Sequence, residues 1–190
     1  MIRLGLCCIF HKEPIKYRRT TAAYLKRQKS AEALRYLAEI AAANARALKA
    51  SLAYCRDNGI GAFRINSQIL PVKTHPEVGY AMTDLPGHAQ IIAGFKACGR
   101  FSRDHDIRTS FHPDQFIVLS SPDKALVRRS IADLAYQAEV AGWVNADVIN
   151  IHAGGAYGDK EKTLRRLANV IRGLPPAIRT RLTLENDDRS

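Results

Sequence analysis

Three side chains of the kind that bind metal ions stand at the ends of three successive strand-like segments. His112 closes the segment IRTSFH, His152 closes ADVINIH, and Glu185 closes RLTLE. Each interval fits one strand followed by one helix, and the ends of adjacent strands lie about 4.8 Å apart. The three side chains can therefore converge on one ion. Two imidazoles with a carboxylate suit zinc, manganese or iron.

A single histidine or glutamate at a strand end is more often a hydrogen-bonded structural residue than a ligand. The shared phase of three such residues is what favours a metal site here. In the second to fifth strands, polar residues near the strand end share one face while mainly apolar residues occupy the other. The same-face polar pairs are Arg64 and Asn66, Ser110 and His112, Asn150 and His152, and Thr183 and Glu185.

Five strand-like segments alternate with four long helical patterns, which predicts a parallel sheet with right-handed crossovers. We expect the first long helix to start at Ser30, acting as N-cap, and to stop at Asn58-Gly59. The other three are expected to span about Gly87–Phe101, Asp123–Val140 and Lys160–Arg172. The expected strands are Ile2–Cys8, Ala62–Asn66, Ile107–His112, Ala146–His152 and Arg181–Glu185.

The two-faced strands distinguish between the two common parallel architectures. A doubly wound sheet is buried on both faces and its strands are almost continuously apolar, whereas a barrel can carry a polar site at the C-terminal mouth of its strands. The sequence therefore predicts an α/β fold, a TIM barrel forming a single domain over residues 1–190. A full barrel needs about 250 residues, so we expect an incomplete one of about five strand-helix units, from a truncated chain.

The charge balance points to a polyanionic partner. Lysine and arginine number 29 against 18 acidic residues, a net charge of +11. Nucleic acid is favoured over an anionic membrane, although an inert basic surface remains an alternative. The segment His11–Ser30 carries much of this charge and, in a barrel, leaves the first strand at the rim that holds the histidines. It suits a phosphodiester substrate, or else it is a solvated loop.

Cysteine usage and hydropathy bear on the compartment. The four cysteines form neither a disulfide framework nor paired CxxC motifs, which favours a reducing intracellular setting. No apolar run approaches the roughly 20 residues of a spanning helix, so a soluble protein without a membrane partner is expected.

A glycine-rich segment, GGAYGDK, follows His152 directly. Its glycines permit close approach of the backbone to a ligand, and Tyr157 and Lys160 are placed to meet bases or phosphates. A plain strand-to-helix turn explains the segment equally well, because its spacing matches neither a P-loop nor GxGxxG.

Several motifs together resemble the UV damage endonucleases. They are RLG at residues 3–5, FRI at 63–65, THP at 74–76, SFHPDQF at 110–116, HAGGAYGDK at 152–160 and LENDD at 184–188. The resemblance implies a metal-dependent TIM barrel of the endonuclease IV and xylose isomerase type. It also implies a DNA repair enzyme that nicks immediately 5′ to ultraviolet photoproducts, with some members acting at abasic sites.

The resemblance also assigns residues. His112, His152 and Glu185 become metal ligands, with Glu185 bridging ions and counted as catalytic together with His75, which is expected beside the catalytic centre. Gln115 and Phe116 are expected to wedge into the duplex at the lesion. Manganese is the expected ion, with magnesium or zinc as alternatives. The remaining expected DNA contacts are Arg64, Tyr157, Lys160, Lys16, Arg18 and Arg19.

The chain departs from the family at Leu6, where tyrosine is common, and at Phe10, where asparagine is common. The family's other metal ligands come from strands six to eight, so the 190-residue chain alone is expected to be inactive. Two other interpretations stay open, a sugar isomerase of the xylose isomerase type and a DNA-binding fragment without activity. The expected partner is double-stranded DNA carrying ultraviolet lesions, with no obligate protein partner, in the cytoplasm at the nucleoid.

Overall fold

The sheet contains five parallel strands in the order in which they occur in the chain. This computed structural model describes residues 2–185. Each strand pairs with the next, so that β1 and β5 form the two edges of an open sheet. The strands are β1 (Gly5–Leu6), β2 (Ala62–Ile65), β3 (Arg108–Phe111), β4 (Val148–His152) and β5 (Leu182–Glu185).

Helices connect the strands and cover one face of the sheet. Parallel strands joined in sequential order by helices are the repeating units of a TIM barrel, which confirms the predicted fold class with the barrel incomplete. A short 3₁₀ turn covers Met82–Asp84. The helices are α1 (Ala22–Leu25), α2 (Ser30–Asp57), α3 (His88–Asp104), α4 (Lys124–Val144), α5 (Lys160–Gly173) and α6 (Pro176–Arg179).

Two predicted boundaries were wrong in an informative way. The first strand has two residues instead of the seven expected for Ile2–Cys8, because only Gly5 and Leu6 pair with β2 and the apolar side chain before them, Leu4, is 68% exposed and not packed in the core. Ser30 is already helical, and the N-cap is Lys29, whose side chain makes no capping hydrogen bond. Asn58 and Gly59 do end this helix, with Gly59 at a φ of 67°.

The hydrophobic core lies between the helices and one face of the sheet. Phe63, Ile65, Phe111, Ile149 and Ile151 project from β2, β3 and β4 into this core and are at most 1% exposed. Burying side chains of this size is worth about 1.5–3 kcal/mol each. Packing of this face therefore determines how the strand ends are held.

The opposite face of the sheet is polar and, within residues 2–185, is not covered by a helix. Arg64 and Thr183 are exposed there, and Ser110 and Asn150 are half-buried. Because residues alternate between faces, β4 and β5 end on the polar side chains of His152 and Glu185, and His112 follows the last residue of β3 on the same face. In the same described range, no helix is both long and apolar enough to cross a membrane.

Candidate metal centre

The three predicted ligands come together at the C-terminal edge of the sheet. His152 and Glu185 are register partners on β4 and β5, and His112 directly follows β3. One ligand atom from each residue lies within 4.8 Å of the others. The two imidazole rings are 5.0 Å apart between centroids and nearly perpendicular. Successive parallel strands therefore produce the convergence that their spacing predicted.

Glu185 accepts two hydrogen bonds at the same carboxylate oxygen. His112 Nε2 lies 2.6 Å from Glu185 Oε2, and the side-chain amide of Asn150 donates to that oxygen at 2.9 Å. The hydrogen bond from His112 holds the pKa of the Glu185 carboxyl below its ordinary value, and the nearby His152 acts in the same direction. The site therefore favours an ionised carboxylate, which is the form that binds a cation.

The donor set fits a divalent transition-metal ion. Imidazole nitrogens and a carboxylate are ligands that zinc and manganese accept, and the side chains of His112 and Glu185 are 19% and 46% exposed, so solvent can reach them. Ligand atoms around an ion with bonds of about 2.0–2.2 Å lie roughly 3 Å apart or more. The 2.6 Å contact between His112 and Glu185 must therefore lengthen when an ion binds.

An open cleft of about 340 Å³ adjoins these ligands. Its walls come from the ends of β1, β2, β3 and β4 and from the first loop, and of the three ligands His112 and His152 line it while Glu185 does not. Within the described residues, the side chain of Arg64 makes no ion pair or hydrogen bond, so its guanidinium is available for a ligand. The side chains that give the cleft its chemistry are those of Cys8, Arg19, Arg64, His112, Gln115 and His152.

The basic segment that leaves β1 is held against α2. Asn44, which is fully buried, accepts a hydrogen bond from the backbone N–H of Arg18 at 2.7 Å and donates to the carbonyls of Arg18 and Ile69. The hydroxyls of Tyr17 and Ser51 are 2.9 Å apart. Two contacts to one helix therefore order the backbone, in contrast to the alternative of a loose solvated loop.

The predicted basic contacts of this segment separate into two groups. Arg19 lines the cleft, whereas Lys16 and Arg18 are exposed but do not line it. The guanidinium of Arg18 lies 5.4 Å from the ring centre of Tyr36, on the outside of α2. Arg19 is thus the residue of this group that the structure brings beside the candidate ligands.

The residues after His112 form a short turn at the cleft. The backbone N–H of Ile117 donates to the carbonyl of Asp114, and Ile117 is buried, which anchors the turn on its far side. Gln115 lines the cleft, while the Phe116 ring is 73% exposed and points away from the core. An aromatic ring that is exposed to this extent is available to stack on a partner.

His75 lies outside the ligand cluster and does not line the cleft. Its Nδ1 accepts hydrogen bonds from the backbone N–H groups of Glu77 and Val78, at 3.2 and 3.4 Å. A neutral imidazole that accepts at Nδ1 carries its proton on Nε2. In this arrangement His75 can donate a hydrogen bond to a substrate but offers no free nitrogen to an ion.

The glycine-rich segment after β4 is shaped by packing as well as by any ligand. A Cβ at Gly154 would lie 2.6 Å from the Ser120 hydroxyl, so glycine is needed for the approach of the neighbouring loop. Tyr157 is 46% exposed, with the guanidinium of Arg166 5.9 Å from its ring centre. Lys160 opens α5 and is exposed. Neither Tyr157 nor Lys160 lines the cleft.

Two residues beside the site, Asn150 and Thr183, were not assigned a role from the sequence. Asn150 contacts Glu185, and the Thr183 hydroxyl donates to Asn150 Oδ1 at 2.8 Å. The available signal was their position, two residues before His152 and Glu185 on the same face of their strands. Cys8 also lines the cleft. It lies there because it follows β1, the neighbour of β2, and no sequence motif indicates this position.

Comparison with known proteins gives consistent matches. The family model described as UV-endonuclease UvdE matches residues 2–190. The UV DNA damage endonuclease of Bacillus velezensis is 36% identical over 186 residues, which are 96% of this chain, and that of Bacillus cereus is 37% identical over 134 residues, which are 69% of it. A solved structure titled "Crystal Structure of SacUVDE" is 27% identical, covers 99% of this chain and has a TM-score of 0.86.

The coverage of the relatives themselves is smaller. The matched region is 56% of the Bacillus velezensis protein, 41% of the Bacillus cereus protein and 62% of the SacUVDE chain. The matched part of this chain therefore covers between 41% and 62% of the length of these relatives. The motif LENDD extends past residue 185, so its last three residues lie outside the described part of the chain.

Proposed function

Because the chain belongs to the UV-endonuclease UvdE family, we propose that it is the metal-binding part of a DNA repair endonuclease. The proposed substrate is double-stranded DNA with ultraviolet photoproducts, nicked on the 5′ side of the lesion, and abasic sites are a second proposed substrate. Work on chromosomal DNA would place the protein inside the cell. The observation that carries the proposal is the convergence of His112, His152 and Glu185 beside a basic cleft.

The three ligands would hold a divalent ion, which we propose to be manganese, with magnesium or zinc as alternatives. Such an ion would stabilise the negative charge that develops on a phosphate under attack by water. Glu185 is suited to this role because its carboxylate stays ionised, and both imidazoles can bind through a neutral nitrogen. We include Glu185 among the catalytic groups for this reason.

The cleft residues would position the DNA. Arg19 and Arg64 carry positive charge into the cleft beside the ligands, where they can bind backbone phosphates and so direct a phosphodiester toward the ion. Lys16, Arg18, Tyr157 and Lys160 are proposed to contact the strand farther out. His75 would serve by donating a hydrogen bond from Nε2 near the catalytic centre.

Gln115 and Phe116 are proposed to read the lesion. They sit on an anchored turn directly after a ligand, so an inserted side chain would be held at a constant distance from the reacting phosphate. A photoproduct weakens stacking and pairing, which lowers the cost of inserting a side chain. The exposed ring of Phe116 could stack on a base, and the Gln115 amide could hydrogen-bond to a base edge.

A second candidate is a DNA-binding unit that does not cut by itself. The observation that favours it is the open sheet with three ligands in the described residues, together with the 56% coverage of the Bacillus velezensis relative. Phosphodiester hydrolysis commonly uses two ions about 3.5–4 Å apart, and three ligands hold one ion at best. We therefore propose that the 190-residue chain binds damaged DNA and metal with little or no nicking.

The two candidates separate in one experiment. Supercoiled plasmid, irradiated or not, is incubated with the chain with and without manganese, and lesion-containing duplex is titrated in parallel by fluorescence anisotropy. Lesion-dependent nicking with manganese supports the endonuclease, and preference for damaged duplex without nicking supports the binding unit. Equal affinity for damaged and intact duplex, with no nicking, would exclude both.

Variants assign the effect to the site. His112→Ala and His152→Ala should lower manganese affinity and remove any nicking, because the ion loses one of three ligands. His105→Ala is the matched control, since this histidine is exposed at the end of α3, where it packs on Phe101. Equal metal content in all three variants would refute the assigned ligands.

A further inference from the structure

We infer that Asn150 and Thr183 form a positioning relay that holds Glu185 in place for the ion, an inference that rests on the metal site proposed above. The two residues are register partners, directly opposite each other on β4 and β5. The Thr183 hydroxyl donates to Asn150 Oδ1 at 2.8 Å, and Asn150 Nδ2 donates to Glu185 Oε2 at 2.9 Å. The relay thus runs along the polar face, one layer beneath His152 and Glu185.

The direction of the relay follows from the chemistry of its ends. An ionised carboxylate only accepts hydrogen bonds, so the side of the Asn150 amide that faces Glu185 must be its NH₂ group. The amide oxygen then faces Thr183, whose hydroxyl can donate to it. A flipped amide would set two acceptor oxygens against each other at Glu185. Threonine thereby fixes the orientation of asparagine, which in turn fixes the carboxylate.

The relay matters most when the ion is bound. His112 Nε2 and Glu185 Oε2 are 2.6 Å apart, at hydrogen-bonding distance, whereas two ligand atoms of one ion lie about 3 Å apart or more with no hydrogen bond between them. Binding of an ion therefore removes the hydrogen bond from His112. Within residues 2–185, the hydrogen bond from Asn150 is the remaining one that the Glu185 carboxylate accepts. Partners of this kind around ligating carboxylates commonly change metal affinity by 10–100-fold.

The test measures metal binding directly. Manganese and zinc affinities of the 190-residue chain are determined by calorimetry for Asn150→Ala, Asn150→Asp, Thr183→Val and Thr183→Ser. We expect a loss of roughly tenfold or more for Asn150→Ala and a smaller loss for Thr183→Val, which keeps the shape but removes the donor. Thr183→Ser should restore wild-type affinity because serine retains the hydroxyl. Asn150→Asp should bind with an affinity different from Asn150→Ala, because its charge either repels Glu185 or joins the ion.

A matched control and a second readout keep folding separate from positioning. Ser110→Ala alters the same face of the neighbouring strand without touching Glu185, and it should bind metal like the wild type. Unfolding midpoints without metal should agree among Thr183→Val, Thr183→Ser and the wild type, while the metal-induced rise in midpoint should shrink only in Thr183→Val.

The outcomes distinguish failure of the relay from failure of the site. Wild-type affinity in Asn150→Ala, with weakened binding in His112→Ala, would overturn the relay and leave the metal site intact. No metal binding by the wild-type chain, or no effect of His112→Ala, would overturn the metal site and the relay with it. Equal losses in Thr183→Val and Thr183→Ser would show that Thr183 acts through packing and not through its hydroxyl, which also contradicts the relay.

Discussion

The two faces of the sheet are made by alternate residues of the same strands and differ in almost every physical respect. On the helix-covered face of β2, β3 and β4, Phe63, Phe111 and Ile149 are at most 1% exposed. On the other face, Arg64 is exposed while Ser110 and Asn150 are half-buried. The covered face is stabilised by apolar burial, whereas the polar face holds hydrogen bonds that converge on Glu185.

This difference separates the residues that determine stability from those that determine chemistry. A change of face requires a shift of only one residue, so β4 presents Ile151 to the core and His152 to the candidate site. The apolar face gains its energy from contact area, which many residues share. The polar face depends on individual atoms at hydrogen-bonding distance, so substitutions there should alter binding while leaving the fold largely intact.

The largest expected effect comes from exchanging a buried side chain. Phe111→Ala should lower the free energy of unfolding by about 3–5 kcal/mol, because it removes a fully buried ring and leaves a cavity. Arg64→Ala, a similarly large truncation on the polar face of the neighbouring strand, should cost less than about 0.5 kcal/mol. Urea denaturation of both variants measures the contrast, and comparable losses would break the division between the faces.

The next largest effect concerns salt. The segment His11–Ser30 contains seven lysines and arginines. If about four of them contact DNA phosphates, a plot of log K, the association constant for DNA, against log[salt] should have a slope of roughly −3.6. That slope corresponds to a loss of about 100-fold between 50 and 200 mM salt, from release of the counterions that condense on DNA. Unfolding free energies should change far less over the same range.

Substitutions in the cleft test whether its arginines cause this salt dependence. Arg19→Gln and Arg64→Gln should each reduce its magnitude by about 1, whereas Lys96→Gln on the helical layer should leave it unchanged. A slope that does not depend on Arg19 or Arg64 would mean that DNA does not enter the cleft.

How far the sequence predicts the molecule depends on the range of the interactions involved. Strand order, the helix that ends at Asn58 and the convergence of His112, His152 and Glu185 all follow from local periodicity together with the rule that parallel strands end at one edge. Contacts between distant segments leave no such periodic signal. The hydrogen bonds of the buried Asn44 amide to the backbone of Arg18 and Ile69 are contacts between distant segments. The sequence also does not reveal that Arg19 lines the cleft while Arg18, its neighbour, does not.

The length of β1 and the contacts of His75 and Phe10 were likewise not predictable from the sequence pattern. Only Gly5 and Leu6 of the first apolar run pair with β2, and the run itself does not reveal how much of it pairs. His75 points its Nδ1 at its own loop, a contact set by the backbone of Glu77 and Val78. Phe10 packs edge-on against Tyr54, 5.3 Å between ring centres, and its ring lies against the core.

A smaller effect is expected at Phe116. Phe116→Ala should weaken binding to lesion-containing duplex by about tenfold, since stacking of a base on an aromatic ring is worth roughly 1–3 kcal/mol. Affinity for intact duplex, metal affinity and stability should stay near wild type, because the ring is 73% exposed. Phe116→Tyr keeps an aromatic face and should retain discrimination, and Gln115→Ala combined with Phe116→Ala should lower it further. Equal discrimination by the wild type and the double variant would remove these residues from lesion recognition.

The smallest expected effect uses the four cysteines as reporters of the two environments. Cys55 and Cys98 lie in the core beneath the helices, and burial raises the pKa of each thiol to about 11. Cys7 is exposed and Cys8 is half-buried at the end of β1, beside the polar face. The thiolate is the reactive form, so at pH 8 the two core cysteines combine a low thiolate fraction with lack of access.

Alkylation of the native chain with iodoacetamide at pH 8 should therefore modify Cys7 and Cys8 and leave Cys55 and Cys98 intact, as read by mass spectrometry of the peptides. The same reaction in guanidinium should modify all four.

Because the folded pKa of both core thiols lies above the unfolded value, near 8.5, their contribution to stability is complete below that value and is lost as the pH rises toward 11. A Cys98→Ala variant should lose less stability than the wild type between pH 8.5 and 11, since one ionisable core group is gone. Fast native labelling of Cys98 at pH 8 would show that the covered face opens readily, and the contrast between the two faces would then be one of degree.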